Sequence, residues 1–346
     1  IRYGHAMVQE LPPRIRLATL PTPLEHAGRL SEHWGGPQIW VNRDDLTGFG
    51  LSGNKVRKLE FHFAAAREEQ ADTVITCGAV QSNHSRATAL AAARLGYRCV
   101  LYLRKPESVE TPELRGNYLL DRLAGATIRF IAPNDWELRD EMMAAEAETQ
   151  RAAGHPSWVI PEGASDALGM WGFVVAMREL ADQAAQIAGT PATLWHAASS
   201  GGTTAGIGWA SDRLCLDLPI VACSIGDLAA DLETKVEAIW AEAAQSTGAK
   251  VPTVPIDYID RHIGAGYGEV SDDDLAIQAE ATALTGLVFD PTYTGKALAG
   301  LRRDIAAGRL GPGDNVIFWH TGGGFAAFSH DFSRIGAVAG QGAPSV

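Results

Sequence analysis

Leu194-Trp195-His196-Ala197-Ala198-Ser199-Ser200-Gly201-Gly202-Thr203-Thr204-Ala205-Gly206 carries the architecture in miniature. Leu194–Ala197 reads as a short strand, and Thr203–Ser211 as a helix of small residues. Between them the glycines let the backbone close around an anion, and the hydroxyls add donors. The helix N-terminus supplies a favourable field. The loop lacks the lysine of an ATP-binding Walker loop and the spacing of a dinucleotide fingerprint, so a monophosphate fits it better than ATP or NAD. A plain flexible turn is the competing reading of the same residues.

Working outward, the same alternation repeats from about residue 39 onward. Candidate strands are Ile39–Val41, Thr73–Thr76, Cys99–Leu103, Thr127–Ile131, Trp158–Ile160, Leu194–Ala197, Ile220–Ser224 and Val316–Trp319. Helix-like segments lie between or after them: Lys55–Glu68, Ser82–Leu95, Glu137–Ala152, Ala167–Gln186, Thr203–Ser211, Leu228–Ala244, Ser271–Thr285 and Lys296–Ala307. Alternation of this kind predicts an α/β fold with mostly parallel, open twisted sheets and helices on both faces. Pro161-Glu162-Gly163-Ala164-Ser165 fits a crossing between domains and an ordinary strand-to-helix loop equally well. Ligands of such folds sit beyond the carboxyl ends of strands, so the loops that open helices are the places to look.

Two more of these loops concentrate polar chemistry. In Leu51-Ser52-Gly53-Asn54-Lys55-Val56-Arg57-Lys58-Leu59-Glu60, Lys55 would stand at a helix start, where the field disfavours an ammonium and favours a nucleophilic amine. Taken alone, Gly53-Asn54-Lys55 reads more readily as a surface lysine beside Arg57 and Lys58. Cys77-Gly78-Ala79-Val80-Gln81-Ser82-Asn83-His84-Ser85-Arg86 follows the Thr73–Thr76 strand; free backbone N–H groups there suit a carboxylate, and Ser82 suits an N-cap. Tyr267 in Gly264–Gly268 and Tyr293 in Asp290–Lys296 each sit between turn residues, where a phenol can reach a ligand or merely cover a core edge. His320-Thr321-Gly322-Gly323-Gly324 follows the last strand. No His pair at metal spacing, nucleophile elbow or paired carboxylates stand out, so no metal is expected.

Composition narrows the partners. The 346 residues, 46% hydrophobic and 20% charged, suit one large or two medium globular units. A net charge of −12 argues against nucleic acid or a membrane surface as a general partner, while leaving room for a small anionic ligand. The longer apolar runs, such as Phe173–Met177 and Val316–Trp319, are too short to span a bilayer. Ile1–Gln9 lacks the apolar stretch of a secretory signal. Cys77, Cys99, Cys215 and Cys223 are widely spread, which fits reduced thiols in the cytoplasm.

Taken in order, the motifs resemble the fold-type II pyridoxal-phosphate family of D-cysteine desulfhydrase and 1-aminocyclopropane-1-carboxylate (ACC) deaminase. The matching residues are Pro21–Glu25, Arg43-Asp44-Asp45, Gly53-Asn54-Lys55, Arg57–Glu60, Gln81–His84, Asp290-Pro291 with Tyr293, and His320–Gly323. They run from about residue 12 to 330. The resemblance implies a tryptophan synthase β-like, two-domain enzyme, with residues 52–168 as the small domain and residues 1–51 and 169–346 as the large one. It further implies a homodimer and pyridoxal 5'-phosphate as cofactor. By the same resemblance Lys55 holds the cofactor as a Schiff base and shuttles the Cα proton, and Ser199, Ser200, Gly201, Gly202 and Thr203 cradle its phosphate. Asn54, Asn83, Thr294 and Thr321 are further cofactor contacts. Gln81, Ser82, Asn83 and His84 receive the small amino-acid substrate; Ser82, Tyr267 and Tyr293 join Lys55 in catalysis.

Within the resemblance, Thr294 and Thr321 match the desulfhydrases, where ACC deaminases carry Glu and Leu. Hydroxyls facing the pyridine nitrogen would leave it unprotonated and the ring a weaker electron sink, which suits simple elimination. The expected reaction is α,β-elimination giving pyruvate, ammonia and a leaving group such as sulfide. Sulfite release from cysteate and cyclopropane opening are the alternatives, and a non-catalytic pyridoxal-phosphate-binding protein is the rival of another class. Leu101–Lys105 and Pro161–Ser165 depart from the desulfhydrase pattern, which bears on the substrate.

Overall fold

The computed structural model describes residues 11–184, 187 and 192–329. The first residues, the end of the predicted helix at Ala185-Gln186 and the C-terminal residues assigned to the large domain lie outside the described residues. The described strands are β1 (Leu24–His26), β2 (Gln38–Arg43), β3 (Thr73–Ala79), β4 (Arg98–Arg104), β5 (Thr127–Ile131), β6 (Ser157–Val159), β7 (Ala192–Ala198), β8 (Ile220–Ser224), β9 (Ile256–Ile259) and β10 (Asn315–His320). The helices are α1 (Gly28–Trp34), α2 (Lys55–Glu68), α3 (Asn83–Leu95), α4 (Gly116–Leu123), α5 (Arg139–Ala152), α6 (Trp171–Gln183), α7 (Gly202–Arg213), α8 (Ala229–Thr247), α9 (Asp272–Thr285), α10 (Thr294–Ala306) and α11 (Gly324–Ala327).

Two sheets form, in the orders β1-β2-β10-β7-β8-β9 and β5-β4-β3-β6. Every pairing is parallel except β1 with β2. The predicted α/β class with open parallel sheets is therefore what the chain adopts. Each predicted strand is present; β1 and β9 are additional, both at sheet edges. Pro161–Ser165 is a strand-to-helix loop, and it is also where the chain leaves the four-stranded sheet for α6 and the six-stranded one.

Apolar residues of α6, α7 and α8 cover one face of the six-stranded sheet, and those of α1, α9 and α10 cover the other. Helices α2 and α3 pack on one face of the smaller sheet, with α5 on its opposite face. Helix α6 links the two halves by close approach. A Cβ on Gly172 would lie 2.5 Å from the Arg57 carbonyl carbon and 2.7 Å from the Lys58 nitrogen. A Cβ on Gly206 would collide with the Met170 carbonyl, so α7 is seated against α6 in the same way. The helices opening at Lys55 and at Gly202 are thus gauged from a common element.

This close fit sets an expectation. Gly172→Ala must push α2 away from α6, and overpacking of this kind costs about 1–3 kcal/mol. Urea unfolding should show that loss, together with weaker ligand retention, since the helix start at Lys55 moves with α2. Unchanged stability would mean the crossing is slack.

Candidate active site

A pocket opens beyond the carboxyl ends of β3 and β7, as expected for parallel sheets. Its lining brings together Asn54, Lys55, Ser82, Asn83 and His84 from one half with Ser199, Ser200, Gly201 and Thr203 from the other. Tyr267, Tyr293 and Thr321 complete the wall. Gln81, Gly202 and Thr294 are not among the lining residues.

Lys55 is the first residue of α2 and partly buried. Among the described residues its amine makes no hydrogen bond or ion pair. Burial pulls it down to about 8, against a smaller opposing pull from the Glu162 carboxylate. The lowering anticipated from the helix start therefore has desolvation as its main cause. The loop before it is tightly held: the Asn54 N–H donates to the Thr321 carbonyl at 3.0 Å, and the Gly53 N–H to that of Asp44 at 3.0 Å. Asn54 Nδ2 donates to Thr203 Oγ1 at 3.3 Å, joining the two halves directly.

The glycine loop fits a phosphate. Gly201 has φ of +85°, a conformation that side chains resist, and no side chain caps α7. The first-turn N–H groups of α7 thus remain available to an anion, and the buried Thr204 hydroxyl has no partner among the described residues. Behind the loop, fully buried Lys58 donates to Ser165 Oγ at 3.0 Å, which shares a hydrogen bond with Ser200 Oγ at 2.7 Å. Burial and the neighbouring Lys55 hold the Lys58 amine well below its usual range. An arriving phosphate would relieve that cost, so a cation at this position suits the cradle. In the sequence Lys58 stands as a neighbour of Lys55 within the Arg57–Glu60 stretch that carries the resemblance, with no role of its own; its spacing of three from Lys55 was the available signal.

At the head of α3, Ser82 Oγ accepts from the Ser85 N–H at 3.1 Å, as an N-cap. Asn83 is oriented by a chain of donor-only and acceptor-only groups. Arg86 Nε donates to Asn117 Oδ1 at 3.2 Å, and Asn117 Nδ2 donates to the Gln81 carbonyl and to Asn83 Oδ1, both at 2.8 Å. The Asn83 amide N–H2 is therefore left for another acceptor. Gln81 spends its own side chain on Arg115 and Asn117, which accounts for its position outside the lining. His84 is constrained likewise. Thr76 donates to the Ile160 carbonyl at 2.7 Å, so His84 Nε2 donates to Thr76 Oγ1 at 2.7 Å and Nδ1 carries the lone pair. Burial holds this imidazole neutral, well below its ordinary pKa.

The opposite wall is phenolic. Tyr267 and Tyr293 share a hydrogen bond of 2.6 Å between their hydroxyls, and burial raises both. Lys296 donates to the Ile263 carbonyl at 2.8 Å and to that of Gly266, fixing the loop that presents Tyr267. Of the two threonines expected at one ligand atom, Thr321 lines the pocket. Thr294 is fully buried and donates to Asp290 Oδ1 at 2.7 Å. Asp290 also takes the N–H groups of Thr292, Tyr293 and Thr294, so its turn claims that hydroxyl. Glu162 is a pocket residue that pattern reading saw only as part of a turn. Among the described residues no group of three or more His, Cys, Asp or Glu side chains could hold a metal ion, and no helix is long and apolar enough to cross a membrane.

A Thermotoga maritima protein provisionally named 1-aminocyclopropane-1-carboxylate deaminase is 38% identical over 317 residues, covering 91% of this chain and 98% of its own. D-cysteine desulfhydrase of Salmonella schwarzengrund is 37% identical over 321 residues, covering 92% and 96%. The crystal structure of an ACC deaminase homologue superposes with a TM-score of 0.84 at 34% identity, covering 94% of this chain and 96% of that one. A family model described as "Pyridoxal-phosphate dependent enzyme" matches residues 15–322, and the chain belongs to that family.

Proposed function

We propose that this chain is a pyridoxal-phosphate lyase that performs α,β-elimination on a small β-substituted amino acid, as a D-cysteine desulfhydrase does. One observation carries the reading: a single pocket unites an unpaired amine near neutrality, an uncapped glycine-loop helix and a second helix start bearing Ser82 and Asn83. When bound, the cofactor supplies an electron-withdrawing ring that makes the substrate Cα–H acidic.

The chain's own groups supply the rest. Lys55 Nζ would hold the cofactor and would accept the substrate Cα proton; its lowered basicity makes both roles accessible near neutral pH. Ser199–Thr203, with Lys58 behind them, would hold the phosphate, and Asn54 ties this loop to α2. The α3 N-terminus with Ser82 and the Asn83 amide binds the substrate carboxylate. Tyr267 and Tyr293 sit where a phenol can donate to the leaving group. Thr321 would offer a neutral hydroxyl to the ring, while the Thr294 hydroxyl is held by Asp290. Gln81, through Asn117, and Gly202, in the cradle, serve position more than contact. The balanced outcome is substrate plus water giving pyruvate, ammonia and the protonated leaving group.

The wider assignments are of the same standing. We take residues 52–168 as the small domain, which contains the four-stranded sheet. We take the protein as a cytoplasmic homodimer. Four unpaired thiols support the compartment, and exposed Leu119 and Leu123, one turn apart on α4, with Phe328 beyond α11, support self-association.

A keto-acid and ammonia screen over D- and L-cysteine, β-chloroalanine, cysteate, D-serine and ACC tests the reaction. Pyruvate from a β-substituted alanine is expected; robust α-ketobutyrate from ACC would overturn the elimination assignment. Lys55→Ala should lower elimination by roughly 10²–10⁴-fold, and borohydride should attach the cofactor to Lys55; attachment to Lys58 or Lys296 would refute the role.

The amine also predicts a pH profile. The neutral form is the nucleophile, so cofactor capture by the apoprotein should accelerate as pH rises and level off above about 8. Stopped-flow absorbance would expose an error if the inflection lay near the ordinary lysine value of 10.5. Gly201→Val should weaken cofactor affinity roughly tenfold or more, the worth of one charged hydrogen bond. Equal retention would reduce the loop to a turn.

A further inference from the structure

One buried cation takes no part in the chemistry above. Lys296, in the first turn of α10, is 2% exposed, yet among the described residues no carboxylate lies within ion-pair distance of it. Its Nζ donates instead to three backbone carbonyls, those of Ile225 at 3.3 Å, Ile263 at 2.8 Å and Gly266. Three acceptors around one nitrogen use all three donors of an ammonium; a neutral amine would turn its lone pair on one of them. Burial pulls the amine down, and Asp274 and Glu269 oppose that from beyond contact. The carbonyl dipoles are thus the direct compensation of the charge.

The carbonyls belong to segments that must be brought together. Ile225 follows β8, and its N–H donates to the carbonyl of Ala198, a pocket residue, at 3.1 Å. Ile263 and Gly266 lie in the stretch after β9, which is weakly held otherwise. Gly264, Gly266 and Gly268 have φ of +61°, +122° and +80°, and nothing lies within 4 Å of where a Cβ on any of them would stand. The local hydrogen bonds are short turns: Ile263 N–H to Asp260, Gly266 N–H to Ile263 and Glu269 N–H to Gly266, at 3.1, 3.2 and 3.3 Å. Glycines in open surroundings give a loop many conformations. Tyr267 within it nevertheless meets Tyr293, three residues before Lys296, at 2.6 Å. The loop is seated beside Ile225, since a Cβ on Gly226 would lie 2.9 Å from that of Tyr267.

Backbone carbonyls gathered around one point hold monovalent cations, because their dipoles replace the ion's water without adding a fixed negative charge. We propose that Ile225, Ile263 and Gly266 form a monovalent-cation site, that the Lys296 ammonium is its tethered occupant, and that Lys296 thereby positions Tyr267 against Tyr293. Removing the side chain beyond Cβ opens the same site to potassium or ammonium from solution. The cation site stands on its own geometry; its effect on turnover alone rests on the reading of the tyrosine pair as substrate-facing.

Hydrogen exchange of the holoenzyme, read by mass spectrometry over residues 263–269, tests this without turnover. In Lys296→Ala, exchange there should exceed the native rate roughly tenfold to a hundredfold, the worth of a hydrogen bond to a charged group. Potassium or ammonium chloride should restore most of the protection. Tetramethylammonium chloride at equal ionic strength should not, being too large for the cage and lacking N–H donors. The native loop should be indifferent to the salt present. Loss of protection that neither potassium nor ammonium reverses would mean a merely structural lysine and overturn the proposal. So would native-like exchange in Lys296→Ala, or a native loop that itself tightens with potassium. Should the alanine variant not fold, Lys296→Arg and Lys296→Met keep the stem and differ in charge. Slow exchange in the first and fast in the second supports the site, and equal exchange refutes it. Pyruvate release from β-chloroalanine should fall in Lys296→Ala and recover with potassium. Failure of the elimination reading looks different: neither native enzyme nor variant yields pyruvate, while the exchange differences and their reversal persist.

Discussion

The buried pair of Arg57 and Asp44 is the constraint from which the site hangs. Arg57 Nε contacts both Asp44 oxygens at 3.0 Å, and Nη2 reaches Asp44 Oδ1 at 2.8 Å, with side chains 1% and 0% exposed. The same nitrogen donates to Thr22 Oγ1 and to Glu179, each at 2.9 Å. One guanidinium therefore ties the end of β2, the N-terminal strand region, α2 and α6. Breaking such a pair strands an uncompensated charge, typically at about 3–5 kcal/mol. The cost falls where Lys55 begins its helix, and the Asp44 carbonyl also holds the Gly53 N–H.

Three cations share the first turn of that helix, and their treatment divides structure from chemistry. Arg57 has two carboxylate partners, which raise its pKa despite burial. Among the described residues Lys58 has a carbonyl and a hydroxyl but no salt bridge, so desolvation lowers it and leaves it receptive to an anion at the glycine loop. Lys55 has no hydrogen-bonding or ionic partner among the described residues. A helix turn normally exposes one of three such residues; here the close crossing of α6 at Gly172 keeps Arg57 and Lys58 inside.

Much of this was legible before any coordinates. Lys55–Glu68 is a helix to the residue, and the Ser82 cap stands where a hydroxyl before a helical pattern should stand. What escaped was short or peripheral. β1 has three residues, and β9 is an edge strand with Asp257 exposed within it, so neither carries a buried run. α1 and α4 are seven and eight residues long and are held by packing more than by periodicity. The predicted helix from Ala167 begins only at Trp171, because Asp166 takes the N–H groups of Leu168 and Gly169 and closes a turn there.

The sequence by itself determined the alternation of strand and helix, the three loops that open helices, and the ordered motifs that place Lys55, Ser82 and the glycine loop in one family. These are local or pattern properties, set by side-chain period, capping and glycine. Tertiary structure alone decided which side chains face one another. It placed Thr321 in the wall while giving the Thr294 hydroxyl to Asp290, set Lys58 behind Ser165, and brought the Arg104 guanidinium over the rings of Trp136 and Tyr267. Partners such as these lie far apart in the chain, and their pairing and desolvation arise only when the two sheets bring their strand ends to a common cleft.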